Sequence, residues 1–443
     1  MNIDIPRNVC QIIKKLENSG FEAYIVGGCV RDSFLGITPK DYDITTSASP
    51  EEIKKCFEDC AVIETGIKHG TVTVVSEGEN IEVTTFRIDG EYIDGRHPES
   101  VQFSKNLLDD LSRRDFTINA MAYNPRVGLI DNFGGQSDLF NRKIVCVGDP
   151  AVRFKEDALR IMRAMRFASQ LGFEIEENTA AAIHEMKGLL ENISAERISC
   201  ELTKLLMGES PCDVLCDHSD VISVIIPEIK PCIDFDQHNR YHIYDVWKHS
   251  ASAVEHSESQ KEVRLALLLH DIGKPACFKL DDEGKGHFFG HEKLSAEMAE
   301  KILRRLRFPG DVVDRVTKLI KYHYVTPVND QKVVRRLLAT VGEEDFFLLL
   351  EVMKGDNRAK HSSCFERVHV LEAMNDKALD ILEKKLCIKV ADLAVSGSDM
   401  IELGFNGAEI GDVLKFLLDA VLDEKTGNTY DELMEYAKGY RKG

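Results

Sequence analysis

With 443 residues, 43% of them hydrophobic and 30% charged, the chain has room for about three domains of the usual ~150 residues. No apolar run reaches the ~18 residues that a membrane span needs, and residues 1–6 lack the basic-then-apolar pattern of a secretory leader, so a cytoplasmic protein with no membrane partner is expected. The formal net charge of −19 disfavours a polyanionic partner at long range. A local stripe of lysine and arginine within a Debye length of the phosphates can still hold one.

The chain opens with short apolar runs between turn signals. Glu22-Ala23-Tyr24-Ile25-Val26 reads as a strand leading into Gly27-Gly28, and residues 70–75 and 81–86 repeat the strand character with β-branched alternation. From about Val152 the apolar period becomes 3.6, as in 158–171, 198–206 and 262–270, so the remainder is expected to be nearly all helix. Pro211, Pro227 and Pro231 interrupt that pattern and make 208–240 the expected junction, with a second break near 377–389. The twelve cysteines, Cys10, Cys29, Cys146, Cys277 and Cys364 among them, are scattered with no Cys-x-x-Cys, which predicts reduced thiols.

Gly27-Gly28-Cys29-Val30-Arg31-Asp32 follows a strand and opens a helix, where backbone N–H groups can cradle a phosphate; an ordinary tight turn has the same sequence. Asp41 and Asp43 stand at i and i+2, which in a strand face the same way. Two like charges so close are relieved by a divalent cation, with Mg²⁺ expected, or else both are solvated loop residues. Glu82, on a later predicted strand, is a candidate third carboxylate. Three carboxylates around two ions suit nucleotidyl transfer, in which a 3′-hydroxyl attacks and pyrophosphate leaves.

These motifs resemble the head of the class II CCA-adding enzymes and the bacterial poly(A) polymerases, and Arg113-Arg114-Asp115-Phe116-Thr117-Ile118-Asn119 is similar to the family's second motif. The resemblance implies that Asp41 and Asp43 bind metal with Glu82 assisting, and that Gly27, Gly28 and Arg31 hold the triphosphate. Arg114 and Asp115 would contact the sugar and phosphates, with Asn119 in the same nucleotide-binding set. Read without the family, the double arginine beside Asp115 is a surface ion pair. Asp131, Gly134, Gly135, Asp138 and Leu139 are similar to a third motif, a hinge, and fit an ordinary turn equally. Residues 87–98, glycine-rich and charged, resemble the mobile loop of full CCA-adding and A-adding enzymes, which CC-adding relatives lack.

Glu156-Asp157-Ala158-Leu159-Arg160 is predicted at the start of a helix, with Asp157 and Arg160 sharing a face. Intrahelical salt bridges on a solvated face are one reading. Cytosine and adenine both present an amino donor beside a ring-nitrogen acceptor, which a carboxylate next to a guanidinium can match, whereas uracil and guanine offer the opposite order. In the family this motif reads the nucleotide, which implies that role for Asp157 and Arg160, with Glu156 and Arg163 orienting them.

Leu265 to Leu269 ends in His270-Asp271, an apolar place for ionisable groups unless they are paired with each other or with a metal. His249 and Asp356 complete the His, His-Asp, Asp pattern of the HD phosphohydrolases, and His291 and His323 stand where binuclear members supply extra ligands. Imidazole with carboxylate suits Mn, Fe, Co, Ni or Zn, with Mg²⁺ also open. Basic stretches at 301–307 and 332–336 are candidate phosphate contacts or solvated faces. The C-terminal turns around Gly397, Gly404 and Gly407 resemble the family's tRNA-gripping tail.

The expected architecture is α+β: a mixed α/β nucleotidyltransferase head at 1–145, a helical neck at 146–210, a helical HD domain at 211–375 and a helical tail at 376–443. The expected activity is addition or repair of the CCA end of tRNA from CTP and ATP, with phosphohydrolysis at the HD site. An A-adding enzyme, a poly(A) polymerase, or an HD phosphohydrolase with a nucleotide-sensing head are the alternatives. A monomer and a homodimer both remain open.

Overall fold

The computed structural model describes residues 3–64, 66–90 and 101–440. They form two compact units, Met1–Pro227 and Glu228–Gly443.

The first unit opens with the helix Arg7–Asn18, and its first nine strands among the described residues are interspersed with short helices: β1 (Ala23–Val26), β2 (Asp43–Thr46), β3 (Ala61–Ile63), β4 (Thr71–Ser76), β5 (Glu79–Thr85), β6 (Arg87–Asp89), β7 (Val101–Phe103), β8 (Ala122–Asn124) and β9 (Gly128–Ile130). Seven of them make one sheet in the order β3-β4-β5-β2-β1-β8-β9. Within it β2 and β5 run parallel and the other neighbours antiparallel. Ile81 and Val83 are buried and Glu82 between them is exposed, the alternation of a strand with one face on the core. Tyr24, Val26, Phe86, Leu107, Leu111 and Ala122 pack together beside the central strands.

Three features depart from the sequence reading. The start of the expected mobile loop is a strand, with Arg87 paired to Phe103 and Asp89 to Val101; residues 91–98 lie outside the described residues. Second, Asp157 does not open a helix. One helix, Pro150–Glu156, ends before it and another, Leu159–Leu171, begins after it, with Asp157 extended at φ −141° and ψ 103°. Its carboxylate accepts from the Leu159 N–H at 3.0 Å, a local bond that competes with the helical ladder and caps the second helix. Third, residues 211–227 belong to the first unit and not to the middle domain. The helix Pro211–Asp217 packs on Leu159–Leu171, and the division falls inside the proline-interrupted stretch.

The second unit is helical apart from the short pair Lys279–Leu280 and Gly286–His287. Its centre is made by the helices Val246–Glu255, Lys261–Leu269, Gly310–Tyr322 and Glu343–Arg358. Gly355 lets these helices approach, because a Cβ there would lie 2.7 Å from Leu267 Cδ1 and 3.1 Å from the Ala253 carbonyl. The helix Glu366–Glu383 runs through the expected boundary at 375, so the chain enters the tail without a break there. The tail has its own core, including Met400, Phe405, Val413, Leu417 and Leu433.

Candidate nucleotide and metal sites

Strand register assembles the head site. Val26 pairs with Asp43, and Asp43 pairs with Glu82 across the parallel β2–β5 ladder, so the end of β1, the start of β2 and the middle of β5 meet. Asp43 is the first residue of β2, and Asp41 lies in the coil before it, outside the strand that the i, i+2 spacing suggested. Asp41, Asp43 and Glu82 are all exposed. The Asp43 carboxyl is pushed up from its ordinary value by partial loss of water and by the Glu82 carboxylate; Arg114 opposes this and Asp41 adds to it. The three do not form a group with all ligand atoms within 4.8 Å of one another.

The chain turns at Gly27, with φ 77° and ψ −130°, into the helix Gly28–Phe34. A side chain at Gly27 would stand 3.1 Å from Arg114 Nη1, so glycine here gives both the backbone angle and the room for that guanidinium. Arg114 is anchored on Asp110 at 3.1 Å, and Arg113 on the same carboxylate at 2.7 Å. Thr45 donates to Asp110 as well. Arg31 donates to Asn119 Oδ1 at 2.7 Å and to Asp32 at 2.8 Å, and Asn119 donates to Asp115 at 3.1 Å. Asp131 accepts from Gly135 N and Gln136 N, closing the turn before the helix Gly135–Phe140.

In the neck, the two residues expected to act together are held by different partners. Asp157 receives Arg197 Nη2 at 2.7 Å, while Arg160 bonds Glu156 at 2.5 Å and the carbonyls of Arg153 and Arg113. Glu156 therefore holds Arg160. Arg163 does not: it donates to Asp115 at 2.8 Å and ties the neck helix to the head.

In the second unit, six side chains from five places converge. His249 Nε2 lies 3.0 Å from Asp356 Oδ1 and 3.4 Å from Asp271 Oδ2, and His270 Nε2 lies 3.2 Å from Asp271 Oδ2. His291 and His323 approach the other Asp271 oxygen at 3.4 and 3.9 Å. The set forms two groups sharing Asp271, one with His249, His270 and Asp356, the other with His291 and His323. All six are buried. His270, His291 and His323 each direct Nδ1 to the carbonyl three residues earlier, at 2.7, 2.8 and 2.6 Å, which turns Nε2 inward. That second bond is what orients a metal-ligating imidazole.

Buried polar atoms without hydrogen-bond partners gather here, including His270 Nε2, His291 Nε2 and Asp271 Oδ1, which is the condition a cation would relieve, while Asp271 Oδ2 is met by the Lys274 ammonium. Burial pushes the pKa of His249 down and that of His323 down to about 3. Burial would lower His270 too, but Asp271 and Asp356 raise it to about 9. Burial alone would raise Asp271 and Asp356, yet their histidine and lysine neighbours hold them well below the carboxylate range. Lys274 sits 2.6 Å from Asp271, and Lys360 lies 2.6 Å from Asp356. A cleft of about 240 Å³ reaches this centre, lined also by Phe288, Phe289, Tyr324 and Arg367.

Comparison with known proteins matches three segments of the chain to family models. Residues 23–145 match the Poly A polymerase head domain, 172–233 the probable RNA and SrmB-binding site of polymerase A, and 240–393 the HD domain. The CCA-adding enzyme of Lactobacillus helveticus is 37% identical over 433 residues, covering 96% of this chain and 95% of the relative. The chain belongs to the CCA-adding enzymes. That of Bacillus velezensis is 34% identical over 428 residues, covering 96% of each. The crystal structure of the Bacillus stearothermophilus CCA-adding enzyme in complex with CTP shares 28% identity and a TM-score of 0.75, over 98% of this chain and 97% of that one.

Several residues that complete the sites in this CCA-adding enzyme escaped the sequence reading. Asp110 precedes Arg113 and Arg114 by three and four residues, a helical spacing that could have flagged it. Lys360 is likewise four residues after Asp356. Arg197 is forty residues from Asp157 and carries no local signal. Within the basic stretches, Arg304 meets Glu300, Arg305 meets Glu228, and Arg336 meets Asp419. Cys10, Cys29, Cys146, Cys277 and Cys364 are free thiols. Among the described residues, no helix is long and apolar enough to cross a membrane.

Asp110 is fully buried; burial would raise its pKa, but Arg114 and Arg113 outweigh that and lower it. A folded pKa below the unfolded one stabilises the protein above the unfolded value of about 4, and that contribution is lost as pH falls through the folded pKa. Asp110→Asn, which leaves two guanidiniums short of their counter-charge, is expected to cost about 3–5 kcal/mol at neutral pH. It should also flatten the acid limb of a denaturant midpoint measured against pH.

Proposed function

We propose that this CCA-adding enzyme builds or repairs the 3′-terminal CCA of tRNA from CTP and ATP, without a nucleic-acid template and with release of pyrophosphate. The end-to-end likeness to CCA-adding enzymes carries the reading. The meeting of Asp43, Glu82 and the Gly27 turn supports it. An all-carboxylate donor set suits the hard cation Mg²⁺, and the crowding that raises Asp43 is what a cation relieves. Asp41 and Asp43 would hold it, with Glu82 assisting. Bound ions supply activation of the RNA 3′-hydroxyl and neutralisation of the leaving pyrophosphate.

Gly27, Gly28 and Arg31 then hold the triphosphate, and Arg114, Asp115 and Asn119 the sugar side. Asp157 and Arg160 read the base edge, since one accepts from the amino group and the other donates to the ring nitrogen. Their separate anchors, Arg197 and Glu156, favour a rigid reader. Residues 1–145 act as head and 146–227 as neck, the HD centre lies within 228–375, and 376–443 grip the tRNA. The cytoplasm, where thiols stay reduced, is the place of action.

Asp43→Asn is expected to lower incorporation of CTP and ATP by about a thousandfold or more while the fold persists by circular dichroism, given the barrier such ions remove. With transcripts ending before CCA, after C and after CC, all three should be extended; growth of the CC-ended transcript alone would identify an A-adding enzyme instead. Asp157→Ala should relax the choice among the four nucleotides, and an unchanged choice would remove Asp157 from the reader.

The two groups sharing Asp271 favour a second activity, metal-dependent hydrolysis of 2′,3′-cyclic or terminal phosphates. His249, His270, Asp271 and Asp356 would hold one ion and Asp271, His291 and His323 another. Imidazole with carboxylate suits Mn, Fe, Co, Ni or Zn, and such an ion supplies an activated water. The His270→Ala/Asp271→Ala double variant should lose bound transition metal by elemental analysis and hydrolysis of 2′,3′-cyclic AMP, while nucleotide addition continues. Hydrolysis at the parental rate would end the assignment.

A further inference from the structure

Phe167 lies on the helix Leu159–Leu171, four residues after Arg163, and only 6% of it is exposed. Three guanidiniums surround its ring. The Cζ atoms of Arg166, Arg31 and Arg163 stand 4.0, 5.0 and 5.5 Å from the centroid. Arg31 comes from the helix after the glycine turn, whereas Arg163 and Arg166 come from the neck helix. Three cations so close repel one another, and each has one carboxylate: Asp32 for Arg31, Asp115 for Arg163 and Glu201 for Arg166. The electron-rich face of an aromatic ring is the remaining attraction they share.

Hydrogen bonds also link Asp32, Arg31, Asn119, Asp115 and Arg163 in a chain. Arg31 and Arg163 are thus held both by that chain and by the ring. Phe116 meets the ring edge-on, with centroids 5.8 Å apart at 82°, and fixes its plane. An aliphatic side chain of similar volume would fill the space but offer no such face to the cations.

We propose that Phe167 is a positioning residue for the incoming nucleotide: its ring seats Arg31 against Arg163, setting the triphosphate-holding group at a constant separation from the sugar-holding Asp115. The inference rests on the nucleotide-binding roles proposed above for Arg31 and Asp115.

The test uses the full-length enzyme with phenylalanine at 167 replaced by mono-, di- and trifluorophenylalanine, which keep the ring's shape while weakening its face, and by Phe167→Leu. With a tRNA transcript lacking CCA, KM for CTP and ATP should rise in the order of fluorination, reaching about tenfold in the trifluoro and leucine variants, with kcat within about twofold. The fluorinated proteins should unfold at the parental temperature, which separates positioning from packing. A parental KM across the fluorinated series, or a loss confined to kcat or stability, overturns the proposal. Arg31→Ala and Arg163→Ala distinguish the two levels. If they raise KM while fluorination does not, the role of Phe167 alone falls; if they leave KM unchanged, the nucleotide-binding reading falls with it.

Discussion

The head site depends on one register. β2 runs parallel to β5 in a sheet whose other neighbours are antiparallel, and that pairing sets Asp43 beside Glu82. Two carboxylates on adjacent strands repel each other, and the Asp43 pKa is raised first by loss of water and then by that repulsion. Ile81, Val83 and Ile44 oppose it from the buried face. A slip of one residue would carry these apolar side chains to the outside, so the register that buries the core also holds the acids together.

Around that point the chain manages a dense population of buried ions by setting a carboxylate against every one of these cations. Asp110 receives Arg113 and Arg114, Asp115 receives Arg163, and Glu201 receives Arg166. Breaking such a pair leaves an uncompensated charge in a place with little water, so these groups immobilise the arginines that line the site. Immobility is what a protein needs if side chains, in place of a nucleic acid, are to discriminate between bases, because a mobile guanidinium would fit several edges.

The HD centre applies the same logic with the opposite result. There the pairing is incomplete: His270 Nε2, His291 Nε2 and Asp271 Oδ1 lie together without a hydrogen-bond partner. Carbonyls behind His270, His291 and His323 fix the rings in that attitude. The ledger is completed from the side by Lys274 and Lys360, which keep the carboxylates ionised. Gly355 allows the helices to approach closely enough for His249 and Asp356 to meet.

The sequence by itself determined the class of each part, because strand alternation, helical period and short motifs are local properties. It showed a mixed α/β head before a helical remainder and the Gly27-Gly28 turn, and the resemblance to the HD phosphohydrolases grouped His249, His270, Asp271, His291, His323 and Asp356. What it could not show was which partner each charge takes, since that is settled by elements far apart in the chain. Asp157 and Arg160 looked like partners on one helix, yet a local cap breaks the helix between them and Arg197 and Glu156 take them separately. Arg163 looked like their neighbour and belongs to Asp115. Long-range packing of the neck helices on the head made those choices, because a buried ion accepts only the counter-charge that packing brings within a few ångströms.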